Sequence, residues 1–474
     1  MKNLFLFALS AIMICGCSDE KVSTFNGIKC SPSNEVNLDF LGGEQSVEIY
    51  FDFNPFFDGE KFSWNLTGGE SWCQPSSKGG EGYIGGNYQD QIVTITFSVD
   101  RYSGVEPRNA IFTISCRNKQ TEIHLTQTGQ NTVYVEQAGT LSEVLSDMDE
   151  GEIRTLTITG NLNDEDFITI RGLYNLEYLD ISEVPFTTLP ANGFSSMSIK
   201  KAILPKSLQI ISQSLFKNCG QLEEVAIPSG VTEIKGGYEK DKCFGAFYNC
   251  QALKSINIPA GVEVLESGTF AYCENLETVI FAENSNLNTI ANGGSYADDS
   301  SWPYKNYYYG VFSCCTSLTA IDFPNGLKTI GQYAFANTGL SKLEFPASVE
   351  TIEYAAFRGC RRISDISFAN GSALKTIKSM AFTSDNNDNL AFYSLLKTVD
   401  MSTCTQVESI GDHAFSENES LELFKIGTII PPACGNETFS EIKSFSILKV
   451  PSESVAAYKQ AAGWNEFANI TALD

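Results

Sequence analysis

Two hydrophobic periods divide the chain. Between about residues 30 and 130 apolar side chains fall on alternate positions. Val47, Ile49, Phe51 and Phe53 share one face of SVEIYFDF, and Val93, Ile95, Phe97 and Val99 do so in IVTITFSV, with Thr94, Thr96 and Ser98 between them. Such alternation predicts half-buried β-strands. Glycine pairs at 42–43, 68–69, 79–80 and 85–86 punctuate the strands, so a small β-sandwich is expected here.

The second period is longer. In TLSEVLSDM, Leu141, Val144, Leu145 and Met148 lie on one helical face, and Thr140 and Glu143 have the spacing of a capping box. This predicts a helical cap over the open end of a repeat array. Beyond it FYNCQALKSINIP, FAYCENLETVIF and FSCCTSLTAIDFP share the template F-x-x-C-x-x-L-x-x-[IV]-x-[IF]. Its anchors are Phe194, Phe216, Phe247, Phe270, Phe312, Phe335, Phe357, Phe382 and Phe415, spaced 22 to 25 residues apart except where 31, 33 or 42 intervene. A second motif lies between anchors: VTEI at Val231, LKTI at Leu327 and Leu374, VETI at Val349 and VESI at Val407. Two short strand-like segments and a turn per unit of this length predict a leucine-rich-repeat solenoid.

The template, with the second motif followed by "AF", resembles the BspA-type leucine-rich repeats of bacterial surface proteins. The tail KVPSESVAAYKQAAGWNEFANI resembles that family's closing cap. In the first segment, SWN at Ser63, SWCQPSSKGGEG, PRNAIFTI and the closing LTQTG resemble the BACON domain, whose family name implies carbohydrate binding although many members act as spacers. Trp64 and Trp72 are expected to fill the sandwich core rather than stack on sugar.

The N-terminus adds an address. Lys2, an apolar run from Leu4 to Ile14 and a small-residue exit at Gly16 form a secretory signal too short to remain as a membrane span. ICGC resembles the lipobox of bacterial lipoproteins, with Cys17 as the acylated residue. The SDEK that follows is similar to the acidic signal that sends Bacteroidetes lipoproteins to the outer face of the outer membrane.

The expected architecture is therefore mainly β with short helices. A signal peptide (1–16) and linker (17–29) precede a BACON-like sandwich (30–130). A right-handed solenoid (138–430) with a helical N-cap and a C-terminal cap (431–474) completes the chain.

Charge and chemistry narrow the function. A net charge of -25 over 474 residues argues against nucleic acid, whose phosphates demand a basic surface. The only histidines, His124 and His413, fall inside strand and repeat patterns, leaving none for a triad, and no glycine-rich phosphate loop opens a helix. No enzyme, cofactor or metal is expected. The recurrent cysteine position holds Cys219, Cys250, Cys273, Cys315 and Cys360, but Met197, Thr338 and Asn418 in other rungs. A ligand position would not accept Met or Thr, whereas a small buried slot would, with Thr or Asn bonding to a loop carbonyl. Rungs about 4.8 Å apart also bring aligned cysteines within disulfide range; the reduced, packed ladder is preferred.

Insertions mark where the array is elaborated. KGGYEKDKCFGA (235–246) and ANGGSYADDSSWPYKNYYYGV (291–311) have a common phase and should rise from one side. The second holds Tyr296, Trp302, Tyr304, Tyr307, Tyr308 and Tyr309, the candidate ligand-binding set, since Tyr and Trp anchor interfaces and suit sugar rings. The contrary expectation is that this loop folds back and shields the flank. A third insertion, TSDNNDNLAFYS, should leave from another edge, and its Asp/Asn run is expected to be a solvated turn. The resemblance implies adhesion to proteins or glycans of a host or neighbouring cell, by a chain expected to be monomeric and lipid-anchored through Cys17; the alternative is a scaffold component of a surface glycan-handling complex.

Overall fold

The computed structural model describes residues 24–38, 42–54, 60–84, 92–102, 107–127, 129, 131–298, 305–384 and 394–473. Cys17, Trp302, Tyr304 and the Asp/Asn run of the third insertion lie outside them. The chain forms two compact units, Met1–Gln130 and Asn131–Asp474.

The first unit is a sandwich. One antiparallel sheet runs in the order Thr24–Ser31, Gly43–Asn54, Ile92–Val99, Cys73–Pro75. The other runs Glu35–Leu38, Lys119–Gln127, Arg108–Cys116, Glu60–Gly68, Gly79–Ile84, and its first pair is parallel. The alternating faces meet as their period requires: Val47, Ile49, Phe51, Phe53, Ile95 and Phe97 are fully buried against Phe62, Trp64 and Phe112. Gly82 admits the Phe62 ring, because a Cβ there would come within 2.4 Å of it. The sandwich starts earlier than residue 30. Thr24–Ser31 pairs with Gly43–Asn54 through a bulge between Phe25 and Gly27, and this irregularity hides the period in TFNGIKCS.

The second unit is a solenoid of parallel strands. The first motif supplies three blocks of sheet. Thr132–Val135, Thr155–Gly160, Tyr178–Asp180, Lys201–Ile203 and Glu224–Ala226 form one, and Ser255–Ile258 with Thr278–Phe281 the next. Lys342–Phe345, Asp365–Phe368, Thr398–Met401, Leu423–Ile426, Ile447–Val450 and Asn469–Ala472 form the third. The second motif supplies one unbroken nine-stranded sheet from Ile210–Ile211 to Ala433–Cys434. Its register stacks like on like, Thr289 on Thr329, Thr351 and Thr376.

In-register stacking does the same for the anchors. From Phe216 through Phe247, Phe270, Phe312, Phe335, Phe357 and Phe382 to Phe415, neighbouring ring centroids lie 5.1 to 5.4 Å apart with planes within 17°. The 42-residue step from Phe270 to Phe312 leaves the stack intact at 5.4 Å, so insertions loop out without opening the core. The residue two beyond each of several anchors is left-handed: Asn218, Asn249, Tyr272, Cys314 and Asn337 have φ of 58 to 63°. These turns pinch each Phe inward, and the Asn residues among them tolerate the conformation better than most.

Both ends differ from expectation. Leu141–Val144 is a single turn whose Thr140 side chain caps nothing helical; its hydroxyl donates to the Gln137 carbonyl, and Val144 is exposed. The capping box sits at Asn163 and Asp166, opening the helix Asp164–Gly172, and buried Asp166 also accepts from the Gly139 and Leu141 amides. Parallel pairing begins at Thr132, before residue 138. At the other end the array continues past 430: Ala433–Cys434 joins the nine-stranded sheet, and Phe439 stacks on Phe415 at 5.9 Å. The sequence hides this rung because PPAC replaces the usual second motif. Trp464 then closes the core, 5.1 Å from Phe439, with its indole N–H donating to the Pro432 carbonyl.

Candidate functional site: a tyrosine-lined flank

The cysteine position answers to the anchor backbone. Cys219, Cys250, Cys273, Cys315 and Cys360 donate their thiols to the carbonyls of Phe194, Phe216, Phe247, Phe270 and Phe335 at 2.9 to 3.2 Å. Asn418 donates its amide to Phe382 in the same way, at 3.0 Å. Thr338 instead meets the Cys360 sulfur at 3.1 Å. Each thiol thus serves an anchor of the preceding rung, whose amide is already bound to the next; the Phe247 N–H donates to the Thr269 carbonyl. Burial pushes the Cys219 thiol up to about 12 and raises Cys250 and Cys315 well above their ordinary value, so these three stay protonated donors. Every cysteine among the described residues is a free thiol.

The two insertions each fold as an antiparallel hairpin. The first pairs Tyr238–Glu239 with Lys242–Cys243, and the second pairs Ser295–Asp298 with Lys305–Tyr308. Strand alternation sorts the second hairpin's side chains by face. Tyr308, with Ser295, faces the following rung: its ring lies 5.3 Å from Tyr333, and Ser295 Oγ donates to Tyr333 Oη. Tyr309, with Tyr296 and Tyr307, faces the first hairpin. Its ring lies 6.1 Å from Tyr238 and 6.4 Å from Tyr248, and its hydroxyl donates to the Asp241 carbonyl at 2.9 Å. Ser267, on the rung between the insertions, donates to the Tyr309 carbonyl at 2.7 Å. The two hairpins therefore join into one structure across a regular rung.

This divides the candidate set. Tyr308 and Tyr309 are buried, at 7% and 3% exposure, and act as packing residues. Three consecutive tyrosines in a strand cannot share a face, and Tyr309 lies at the hairpin's base. Burial, reinforced by Cys243 and Asp241, pushes the Tyr309 phenol up to about 12. Tyr296 is 37% exposed and pairs across the hairpin with half-buried Tyr307 at 6.5 Å; Tyr307 lies 6.4 Å from Tyr272, which lies 5.6 Å from Tyr248.

Sequence reading missed Tyr238, which is 44% exposed. Its ring lies flat against the backbone of Gly294, where a Cβ would come within 2.3 Å of a ring carbon. The Gly293-Gly294 pair was the available signal, because glycine in a strand marks close approach by another group.

The sandwich aromatics contrast with these. Trp64 is buried, and the half-buried Trp72 has the Arg108 guanidinium 4.2 Å from its ring centre. Arg108 also stacks on Tyr102 at 4.3 Å and bonds to Gln127 at 2.8 Å. Lys61 lies over Tyr83 at 5.2 Å and Lys29 over Tyr50 at 5.8 Å. Among the described residues no group of three or more His, Cys, Asp or Glu side chains is arranged to hold a metal.

These features define a repeat solenoid with an elaborated flank, preceded in the chain by a β-sandwich. Residues 152–245, 187–296, 305–403 and 388–472 match the BspA type Leucine rich repeat region, and the chain belongs to that family. Residues 62–128 match BACON, a putative binding domain, N-terminal. No curated protein matches the chain. Among solved structures, a leucine-rich repeat protein from Bacteroides ovatus is 19% identical, over 67% of this chain and 88% of that one, with a TM-score of 0.33. A leucine rich cell surface protein from Faecalibacterium prausnitzii is 18% identical over 67% and 83%, with a TM-score of 0.32. A leucine-rich repeat protein from Eubacterium ventriosum is 16% identical over 71% and 95%, with a TM-score of 0.34. At such scores the fold rests on the strand registers above.

Proposed function

We propose that the chain is a non-catalytic surface binding protein. In this reading Cys17 carries the lipid that anchors it to the outer face of the outer membrane, the sandwich acts as a spacer, and the solenoid binds a protein or glycan of a host or neighbouring cell. The observation that carries the reading is the union of two separate insertions into one tyrosine-lined surface, where regular rungs have only tight turns. The cations stacked on Trp72 and Tyr83 support the spacer role. The test is binding of the soluble chain to panels of extracellular-matrix proteins and polysaccharides, beside Tyr296→Ala/Tyr307→Ala and Tyr83→Ala variants. Loss in the first variant with an unchanged melting temperature is expected. Loss only in the second would move the site to the sandwich.

A further inference from the structure

We infer that the corner between the two hairpins is a carbohydrate site, and that its ligand is a neutral oligosaccharide stacked on Tyr238 with Tyr296 and Tyr307 beside it. The inference rests on the reading of the solenoid as a binding surface and names the chemistry of its ligand.

Stacking on a sugar needs an aromatic face that is open and held still. Tyr238 has both properties: one side of its ring lies on the Gly294 backbone and next to Tyr309, while 44% of the residue remains exposed. The support comes from the opposite hairpin, and the Tyr309 hydroxyl ties that hairpin back to Asp241, so the ring's position is fixed by both insertions. Gly294 and Tyr296 are two residues apart, so strand alternation puts Tyr296 on the hairpin face that carries Gly294. Tyr307, opposite Tyr296 in the hairpin register, continues the same face.

The surrounding polar groups suit hydroxyls. Asn249, the sequence neighbour of Tyr248, donates to the Asn218 side chain at 3.0 Å. Phenols and amides both donate and accept, as the hydroxyls of a sugar do. Charge argues against the other ligand classes. The turn residues Glu239, Lys240, Asp241 and Lys242 cancel, and the chain as a whole carries -25, which disfavours anions. Of the charges near these rings, the Asp241 carboxylate acts on the Tyr309 phenol and the Lys217 ammonium lies 5.7 Å from the Tyr248 ring centre, so the two offset. A neutral polyol loses nothing from that arrangement.

The experiment is binding of the soluble full chain to immobilised neutral polysaccharides (α-glucan, β-glucan, mannan, xylan, galactan), with polygalacturonate and folded extracellular-matrix proteins as contrasting arms. At least one neutral polysaccharide should bind. Tyr238→Ala should weaken that binding about tenfold. Tyr238→Phe, which keeps the face, should change it less than about twofold. Tyr174→Ala, an exposed ring elsewhere on the solenoid, should leave it unchanged. Tyr296→Ala provides a second variant on the exposed part of the hairpin should Tyr238→Ala fail to fold. Neutral polysaccharides that do not bind, or that bind Tyr238→Ala and Tyr296→Ala as well as the parent, overturn the inference. Binding in the protein arm alone overturns it while leaving the binding reading standing, and silence in every arm overturns both.

Discussion

At the scale of single residues, the recurrent cysteine is a structural donor. The carbonyl of an anchor Phe points into a dry slot, and a buried acceptor left unpaired costs about 1–3 kcal/mol. A thiol is small enough to fit and polar enough to pair with it. Cys273→Ala should therefore lower stability by about 1–2 kcal/mol in urea unfolding, by leaving the Phe247 carbonyl without its donor. Cys273→Thr should cost less, since Thr338 occupies the equivalent place in its own rung. The ladder also predicts a pH dependence. An unfolded thiol ionises near its ordinary 9.0, whereas folded Cys219 ionises near about 12. Its stabilising contribution is thus complete below pH 9 and is lost as pH rises from 9 toward 12. The urea midpoint should fall between pH 8 and pH 10, and the buried ladder thiols should resist alkylation at pH 8 more than half-buried Cys30 does. Rapid labelling of Cys219, Cys250, Cys315 or Cys360 in the folded chain at pH 8 would contradict the buried, protonated ladder.

Secondary-structure elements show where the array is tight and where it is not. The nine-stranded sheet and the phenylalanine stack are continuous, yet the first-motif sheet is interrupted twice. Among the described residues no backbone bond joins Glu224–Ala226 to Ser255–Ile258, or Thr278–Phe281 to residues 320–323. These two gaps fall where an inserted hairpin separates two anchors, whereas residues 320–323 are also unbonded, among the described residues, to Lys342–Phe345 with no insertion between Phe312 and Phe335. Amides of residues 320–323 should consequently exchange with solvent faster than those of Asp365–Phe368, which sits between two paired neighbours. Equal protection would mean that the sheet is whole there. At the N-terminal end, Asn163→Ala should destabilise the solenoid by about 1 kcal/mol in thermal or urea melts, because Asn163 caps the one multi-turn helix there. Thr140→Ala should have no comparable effect.

For the whole molecule, the repeat made most of the architecture legible. The anchors, the second motif and the alternating strands each repeat one physical requirement, so the period betrays them. What was hidden is what breaks the period: the bulged first strand at Thr24–Ser31, the PPAC rung before Phe439, and a capping box made from Asn and Asp instead of Thr and Glu. The flank was half legible. Composition pointed to the tyrosine-rich insertion, but only the fold separates exposed Tyr296 from buried Tyr308 and Tyr309, and only the fold brings Tyr238 onto Gly294 from the other insertion. Contacts between two excursions from a solenoid depend on which rungs stack, which no single repeat records.

The most direct test of the account is to remove both excursions at once. Each insertion would be shortened to the four residues that separate Ile330 from Phe335 in a regular rung. The shortened chain should keep its far-ultraviolet circular dichroism and cooperative unfolding, because the phenylalanine stack and nine-stranded sheet do not depend on the hairpins. It should also lose binding to whichever protein or polysaccharide the parent retains. A shortened chain that still binds as the parent does would contradict the account.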